Sequence, residues 1–463
     1  LNILSRIVTG DGHDSVSGHS KLWGSGIYNS GGTIETGNGD DSITGTANSS
    51  SDSSTGYAFN NSGKIDTGIG NDTIKASGFW SYGLVNVGTI ITGDGNDSFI
   101  VTATGYQTAI RNTDSSNTLA IINTGSGNDS IVATSKGSAI DNDATIATGD
   151  GDDTITGIST ASREVLDIGF SSGYGIISYN GTIETGNGND TIKGSGWGYQ
   201  GFGIFNSNRI DTGSGNDIVD ALVGGFAGSG LISLGDGDDT LKGFTGSGSN
   251  NWGSGRYDGG KDSDVLLIGE FGTYSISANA DPEGFYTLSN GSYLMRIKNF
   301  EFLGNANNGT QFAFAPGISF SILPTTAAIT AITDNVGIIT GTVVPGGRTN
   351  DNTPTISGTL SAALATGETL RLFNGATLLG NATVNNTTKT WSYTPTLSAT
   401  AGRAYSITAR VAGAAGNLGS ASEARTFALD TTAPATTAAI TAVTDNVGIL
   451  QGTVAAAGRT KDT

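Results

Sequence analysis

Nine aspartates recur along the first half of the chain: Asp14, Asp41, Asp72, Asp97, Asp129, Asp153, Asp190, Asp217 and Asp239. Each closes one short pattern, Thr-Gly-x-Gly-x-Asp followed by Ser or Thr and then an apolar residue, with small variations. Thr185-Gly186-Asn187-Gly188-Asn189-Asp190-Thr191-Ile192 is a representative copy. A last relative, Gly259-Gly260-Lys261-Asp262-Ser263-Asp264-Val265-Leu266, adds Asp264. Successive aspartates lie 22 to 37 residues apart, most of them near 25 to 27. If each repeat forms one coil, the carboxylates stack in a row about 5 Å apart. Two such charges repel by about 3 kcal/mol at an effective dielectric near 20. Asp11, Asp40, Asp94, Asp150, Asp152, Asp236 and Asp238, at the variable motif positions, add to that repulsion. A cation between coils would relieve it.

The donors on offer are oxygens. Calcium takes six to eight of them, and glycines such as Gly37, Gly39, Gly186, Gly188, Gly235 and Gly237 allow backbone carbonyls to turn toward an ion. No His or Cys occupies a fixed motif position, which argues against zinc. An Asp that merely caps its own turn is the alternative for a single copy. Nine copies in register favour calcium.

A second regularity says what positions these residues. Nine residues before each motif's final apolar residue stands another: Ile7/Val16, Ile34/Ile43, Ile65/Ile74, Ile90/Phe99, Ile122/Ile131, Ile146/Ile155, Ile183/Ile192, Ile210/Val219 and Ile232/Leu241. The interval holds while the intervening segments vary in length. Two short strands joined by the Gly-x-Gly-x-Asp turn place both members inside. Segments such as Gly26-Ile27-Tyr28-Asn29, Gly83-Leu84-Val85-Asn86 and Gly203-Ile204-Phe205-Asn206 supply a third strand. The expected fold is all-β, a parallel β-solenoid of three-strand coils over residues 1–264, since no single repeat buries its apolar face alone. Nine steps of roughly 4.8 Å make a rod on the order of 45 Å long.

Composition agrees. The chain has 463 residues, 74 glycines, no cysteine and a net charge of −19. The glycines keep no Gly-X-Y order, so collagen is excluded. Sparse, unclustered Lys and Arg make nucleic acid an unsuitable partner, and no apolar run is long enough to span a membrane. Inserts at 48–55, 115–119 and 159–170 fall between strands. Phe79, Trp80, Tyr82, Trp197, Tyr199 and Phe202 cluster in or near such loops, where they either close an edge of the core or contact glycans.

Residues 265–323 change texture to short alternating strands, as expected of a β-rich cap over the last coil's open end. From 324 the chain turns Ala- and Thr-rich. The stretch 325–338 returns at 436–449, an offset of 111 residues that still holds at Arg348-Thr349 against Arg459-Thr460. Strand candidates at 355–360, 369–373, 382–384, 391–393, 405–411 and 426–429 fit an immunoglobulin-like sandwich without its disulfide over 324–434. Residues 435–463 then start a second, partial copy, and the whole reads as a fragment of something longer.

The first repeats resemble those of the RTX (haemolysin-type) calcium-binding family, whose nonapeptide Gly-Gly-x-Gly-x-Asp-x-U-x (U, a large apolar residue) builds a calcium-loaded β-roll. Gly37-Asn38-Gly39-Asp40-Asp41-Ser42-Ile43 and Gly186 to Ile192 match from the second Gly onward. The family's first Gly is Thr here in eight copies and Leu in one, and coils near 27 residues replace the family's 18. Such coils would carry metal along one edge rather than two. The later repeats resemble bacterial Ig-like domains of large surface adhesins. That resemblance implies calcium at domain junctions, for which Asp334, Asp351, Asp430 and Asp445 are the candidates by position; turn aspartates without metal are the alternative.

Three functions follow as expectations. The first is a secreted, calcium-binding structural and adhesive surface protein. Its family resemblance implies type I secretion of an unfolded chain, extracellular folding on calcium, and a glycan or protein target of the kind met in biofilm attachment. The second is a self-assembling S-layer, sheath or filament subunit. The third is a polysaccharide-acting β-helix enzyme, which needs paired acids or basic residues on one face. His13 and His19 are the only histidines, and Asp114, Glu164 and Asp167 form no evident pair, so no catalytic residue is assigned.

Overall fold

The computed structural model describes all residues except 22–23, 50–55, 116–118, 161–172, 198–200, 246–254, 308, 338–339, 399–402, 414–415, 417, 433–438, 449–450 and 460–463. Tyr199, Glu164, Asp167 and most of the three inserts lie outside the described residues. Two compact units result: Leu1–Pro324 with the short stretch Ala412–Ser420, and Thr325–Val411 with Ala421–Thr463.

The first unit is a parallel β-solenoid. Each of the first nine coils gives one strand to each of three sheets. In the second coil these are Ser25–Asn29, Thr33–Glu35 and Ser42–Asn48. The first sheet stacks nine strands in coil order, and the other two carry the same order further into 14 and 12 strands. Register follows the apolar pairs. Ile34 faces Ile65, which faces Ile90, then Ile122, Ile146, Ile183, Ile210 and Ile232. Across the turn, Ile43, Ile74, Phe99, Ile131, Ile155, Ile192, Val219 and Leu241 make the matching column, which Leu266 continues. Both columns are buried in one continuous core. Each such side chain contributes about 1.5–3 kcal/mol by burial, which no isolated coil could collect.

Parallel stacking runs on past Asp264. Leu294–Lys298 pairs parallel with Arg256–Lys261, and Phe302–Asn305 pairs parallel with Val265–Ile268. Antiparallel strands Tyr286–Ser289, Gly272–Ile276 and Ser319–Ile322 then extend the second sheet, and Gln311–Ala313 ends the third. The expected cap is therefore partly a further coil and partly hairpins. Aromatic rings fill its interior: Tyr274 stacks on Phe320 at 5.5 Å and meets Phe244 edge-on at 5.0 Å. This closes the apolar end.

The second unit holds two five-stranded sheets. One orders Gly341–Thr342, Ala327–Asp334, Thr355–Leu360, Thr390–Tyr393 and Thr383–Asn385; the other orders Gly347–Thr349, Arg425–Leu429, Arg403–Ala412, Thr369–Asn374 and Thr377–Asn381. Ile332, Ile356, Leu370, Leu372, Trp391, Ile407 and Phe427 are its buried apolar residues. The 111-residue repeat is visible in the backbone. The hairpin pairing Thr333-Asp334 with Gly341-Thr342 returns as Thr444-Asp445 with Gly452-Thr453.

Candidate metal column along the turn edge

The Gly-x-Gly-x-Asp turn joins the second-sheet strand to the third-sheet strand in each of the first nine coils. Its glycines are fixed by stacking. Gly37 and Gly39 have φ of 105° and 126°, and a Cβ on either would sit about 2 Å (2.1 and 1.9 Å) from the carbonyl oxygen of Gly10 or Gly12 in the coil before. Turn amides and carbonyls pair directly between coils: Gly37 N donates to Thr67 O at 3.1 Å, Ile69 N to Gly37 O at 3.1 Å, and Gly39 N to Ile69 O at 2.7 Å. The motif threonine lies outside the positive-φ region, although the family's glycine stands at that position. Its hydroxyl joins coils too, as Thr36 Oγ1 donates to Thr67 O at 3.1 Å and Thr67 Oγ1 to Thr92 O at 3.2 Å.

All ten predicted aspartates, Asp14 through Asp264, come into one column. The amide of each Asp donates to Oδ1 of the Asp in the next coil, from Asp14 onto Asp41 at 2.7 Å to Asp239 onto Asp264 at 2.9 Å. From Asp41 onward every member is buried to 2% exposure or less. The column ends on a residue that the motif did not flag. Asp264 N donates to Oε2 of Glu301 at 2.8 Å, so Glu301 supplies the last carboxylate. No Gly-x-Gly precedes it, and only the coil geometry reveals the role.

Oδ2 is the unusual atom. In Asp14, Asp41, Asp72, Asp97, Asp129, Asp153, Asp190, Asp217, Asp239 and Asp264 it is inaccessible to solvent and accepts no hydrogen bond. Burial pushes the carboxyls up: Asp129 and Asp264 to about 7, Asp153 and Asp217 to about 6, and Asp239 to about 8. Asp72, Asp97 and Asp190 move the same way for the same cause, opposed by the neighbouring amide and motif threonine. An unpartnered buried acceptor costs about 1–3 kcal/mol, and more if charged. Ten in register call for a partner.

Outside this column runs a second row. Asn71 N donates to Asp40 Oδ1 at 2.8 Å, Asn96 N to Asn71 Oδ1 at 2.8 Å and Asn128 N to Asn96 Oδ1 at 2.7 Å, continuing to Ser263 N on Asp238 Oδ1 at 3.0 Å. These side chains are solvent-facing, so their charges are screened.

The aspartate candidates of the later repeats divide. Asp334, Arg348, Thr349 and Asp430 line one cavity of the second unit together with Gly337, Asn350 and Thr432. Their carboxylates are already engaged. Asp334 accepts Thr349 Oγ1 at 2.8 Å and Val336 N at 2.9 Å. Asp430 is held low by the Thr432 hydroxyl and amide, and it pairs with Arg348 at 3.1 Å. Asp351 is wholly buried and accepts Thr353 N at 2.7 Å and Asn335 N at 3.1 Å, whereas Asp445 caps Val447 N at 3.0 Å in the repeated hairpin. Among the described residues no three His, Cys, Asp or Glu side chains converge on one point. Any ion on the solenoid would draw most of its ligands from turn carbonyls.

The aromatic candidates differ in exposure. Phe79 and Trp197 are exposed, Tyr82 stacks on Tyr57 at 5.6 Å, and Phe202 is buried. Asp114, considered as an acid, accepts Ala120 N at 2.7 Å and closes its own loop. No helix among the described residues is long and apolar enough to cross a membrane. Compared with models of known families and with curated proteins, the chain matches none. What the fold defines is the class: an all-β protein built on a parallel β-solenoid.

Proposed function

We propose that this chain is a secreted structural and adhesive surface protein of RTX type, whose solenoid binds calcium along the turn edge and is stiffened by it, with Ig-like repeats as a stalk. The observation that carries the reading is the row of ten buried, unpartnered Asp Oδ2 atoms. The donor set fits a hard cation: carboxylate oxygens in line, backbone carbonyls in every turn, and no imidazole or thiolate in the motif. Asp14 to Asp264, with the carbonyls of turn glycines such as Gly37, Gly39, Gly186, Gly188, Gly235 and Gly237, would hold it. When bound, calcium supplies the positive charge that the desolvated carboxylates lack. The chain's own part is to hold the carboxylates in register through the amide-to-Oδ1 bonds and to exclude water from Oδ2.

Metal that binds the folded rod alone stabilises it by mass action. Thermal unfolding of the full chain, followed by circular dichroism after EGTA treatment, checks this. The midpoint should rise by at least about 10 °C as calcium reaches millimolar levels, and far less with magnesium. Equal midpoints in EGTA and in calcium would leave the motif as turn grammar alone.

A further inference from the structure

The outward face of the first sheet carries a second apolar cluster that the stacked core does not need. In the seventh and eighth coils Ile176 and Ile204 point into the core, while their neighbours Ile177 and Phe205 point out. Ile177, Phe202, Phe205 and Ala227 are buried together, with Tyr174 packed against them. Tyr179 lies against Phe205 at 4.9 Å between ring centroids and leaves 43% of its surface exposed. Tyr174 sits 6.0 Å from Phe202 and 6.2 Å from Phe205. The adjacent Gly173 bridges to the exposed Trp197 through paired backbone bonds of 2.9 and 3.0 Å.

Strand register then brings charge to this aromatic patch. Along one outward row Arg111 faces Asp141, Asp141 faces Ile177, Ile177 faces Phe205 and Phe205 faces Ala227. Arg111 Nε approaches Asp141 Oδ2 only to 3.9 Å, too far for a hydrogen bond. Asp143 Oδ1 is inaccessible to solvent and accepts none. Burial pushes Asp141 up, with Asp143 adding like charge; burial likewise raises Tyr179, helped by Tyr174, Asp141 and Asp143. The acids and the aromatic rings therefore share one neighbourhood.

We infer that this surface is a glycan-binding site, in which a pyranose ring lies on Tyr179 and its hydroxyls donate to the partly exposed carboxylate of Asp141. The chemistry matches in both halves. A sugar's axial C–H face packs on an aromatic ring, and its hydroxyls can donate to a carboxylate that its cationic neighbour approaches only to 3.9 Å. Arg111 supplies a donor for ring or hydroxyl oxygens. The site gives the adhesive reading a target class, and it rests on that reading. It uses none of the turn aspartates.

The test is binding of the full chain, in calcium, to an immobilised panel of α- and β-linked hexose and N-acetylhexosamine oligosaccharides. The strongest hit is then titrated by calorimetry against wild type, Tyr179→Ala and Asp141→Asn, with tetramethylammonium titrated in parallel. Saturable binding to at least one saccharide is expected, weakened 10-fold or more in both variants while the circular dichroism spectrum and the calcium-dependent midpoint stay unchanged. Saccharide binding equal in all three proteins would move the site elsewhere. Tetramethylammonium binding without any saccharide hit would make the patch an organic-cation site, and no binding of either kind would overturn the proposal. Any of these failures leaves the calcium response untouched and so is distinguishable from failure of the rod reading.

Discussion

Two polar stacks run through the solenoid interior, and they solve one problem in opposite ways. At the end of the first-sheet strands Asn29, Asn61, Asn86, Asn112 and Asn142 form an amide ladder, each Nδ2 donating to the next Oδ1 at 2.8–2.9 Å. The second Nδ2 hydrogen goes to backbone carbonyls, as from Asn86 to Gly88 O and Ile121 O at 3.0 Å. An amide carries donor and acceptor together, so an indefinite stack of them satisfies itself. The aspartate column has the same periodicity and similar burial but only acceptors. Its Oδ1 is met by backbone and its Oδ2 is left over in every coil. The amide stack leaves an orphaned oxygen only at its first member, Asn29 Oδ1, whereas the carboxylate stack leaves one in every coil.

The largest effect separating them is pH. Carboxyls raised in the folded rod bind more protons there than in the unfolded chain. Their stabilising contribution is fully present below the unfolded value near 4 and is lost as pH rises through about 6 to 8. In EGTA the melting midpoint should therefore fall by at least about 10 °C between pH 5 and pH 8. Saturating calcium should flatten that slope. A midpoint independent of pH in EGTA would show the column to be satisfied without protons or metal.

Asn86→Asp turns one member of the amide stack into the carboxylate kind. It removes the donors to Asn112 Oδ1, Gly88 O and Ile121 O, and should cost about 3 kcal/mol at pH 7, less at pH 4. Urea unfolding at the two pH values reads both numbers. The reverse exchange, Asp129→Asn, keeps the acceptor for Asp97 N and removes one orphaned oxygen. In EGTA it should stabilise by about 1–3 kcal/mol, and in calcium the sign should invert as a ligand is lost. Destabilisation under both conditions would count against the column as a metal site.

The smallest effect concerns a natural gap. Ser178 occupies the ladder position between Asn142 and Asn206, and its hydroxyl turns back to Gly181 O at 2.8 Å. Ser178→Asn should rejoin the stack and raise stability by up to about 1 kcal/mol. No gain on urea unfolding would mean that the local backbone does not admit the amide.

Much of this was legible in the residues. The nine-residue apolar interval survives every insertion because both partners are fixed by one turn, so it announced the solenoid and its register. The Asp column followed from the same turn, and Asp264 was recognisable despite its altered neighbours. Glu301 was not, because it reaches the column from the bend just before the cap strand Phe302–Asn305, with no turn motif before it. The recurrent Asn at 29, 86 and 206 was in view as a strand marker. Its hydrogen bonding depends on strand register, which sequence periodicity does not state. Phe202 was noticed among the loop aromatics, whereas Phe205 and Ile177 belong to the period-2 outward face of strands and looked like ordinary strand residues. Their meeting with Asp141 and Asp143 arises only when coils of unequal length are stacked.

The opposite sense of the two turn-edge rows has a kinetic consequence. In the buried column each amide reaches forward to the carboxylate of the following coil, and Glu301 in the hairpin-capped end offers the first acceptor. In the exposed row each amide reaches back to the preceding coil. A chain that nucleates at its aromatic-filled cap therefore finds, at every step toward the N-terminus, a buried acceptor already in place for the arriving amide. Zipping in the other direction must strand a desolvated amide until the next coil closes. The rod should therefore zip from its cap, and pulsed hydrogen exchange during refolding should show protection of Asp239 and Asp217 amides before those of Asp41 and Asp72.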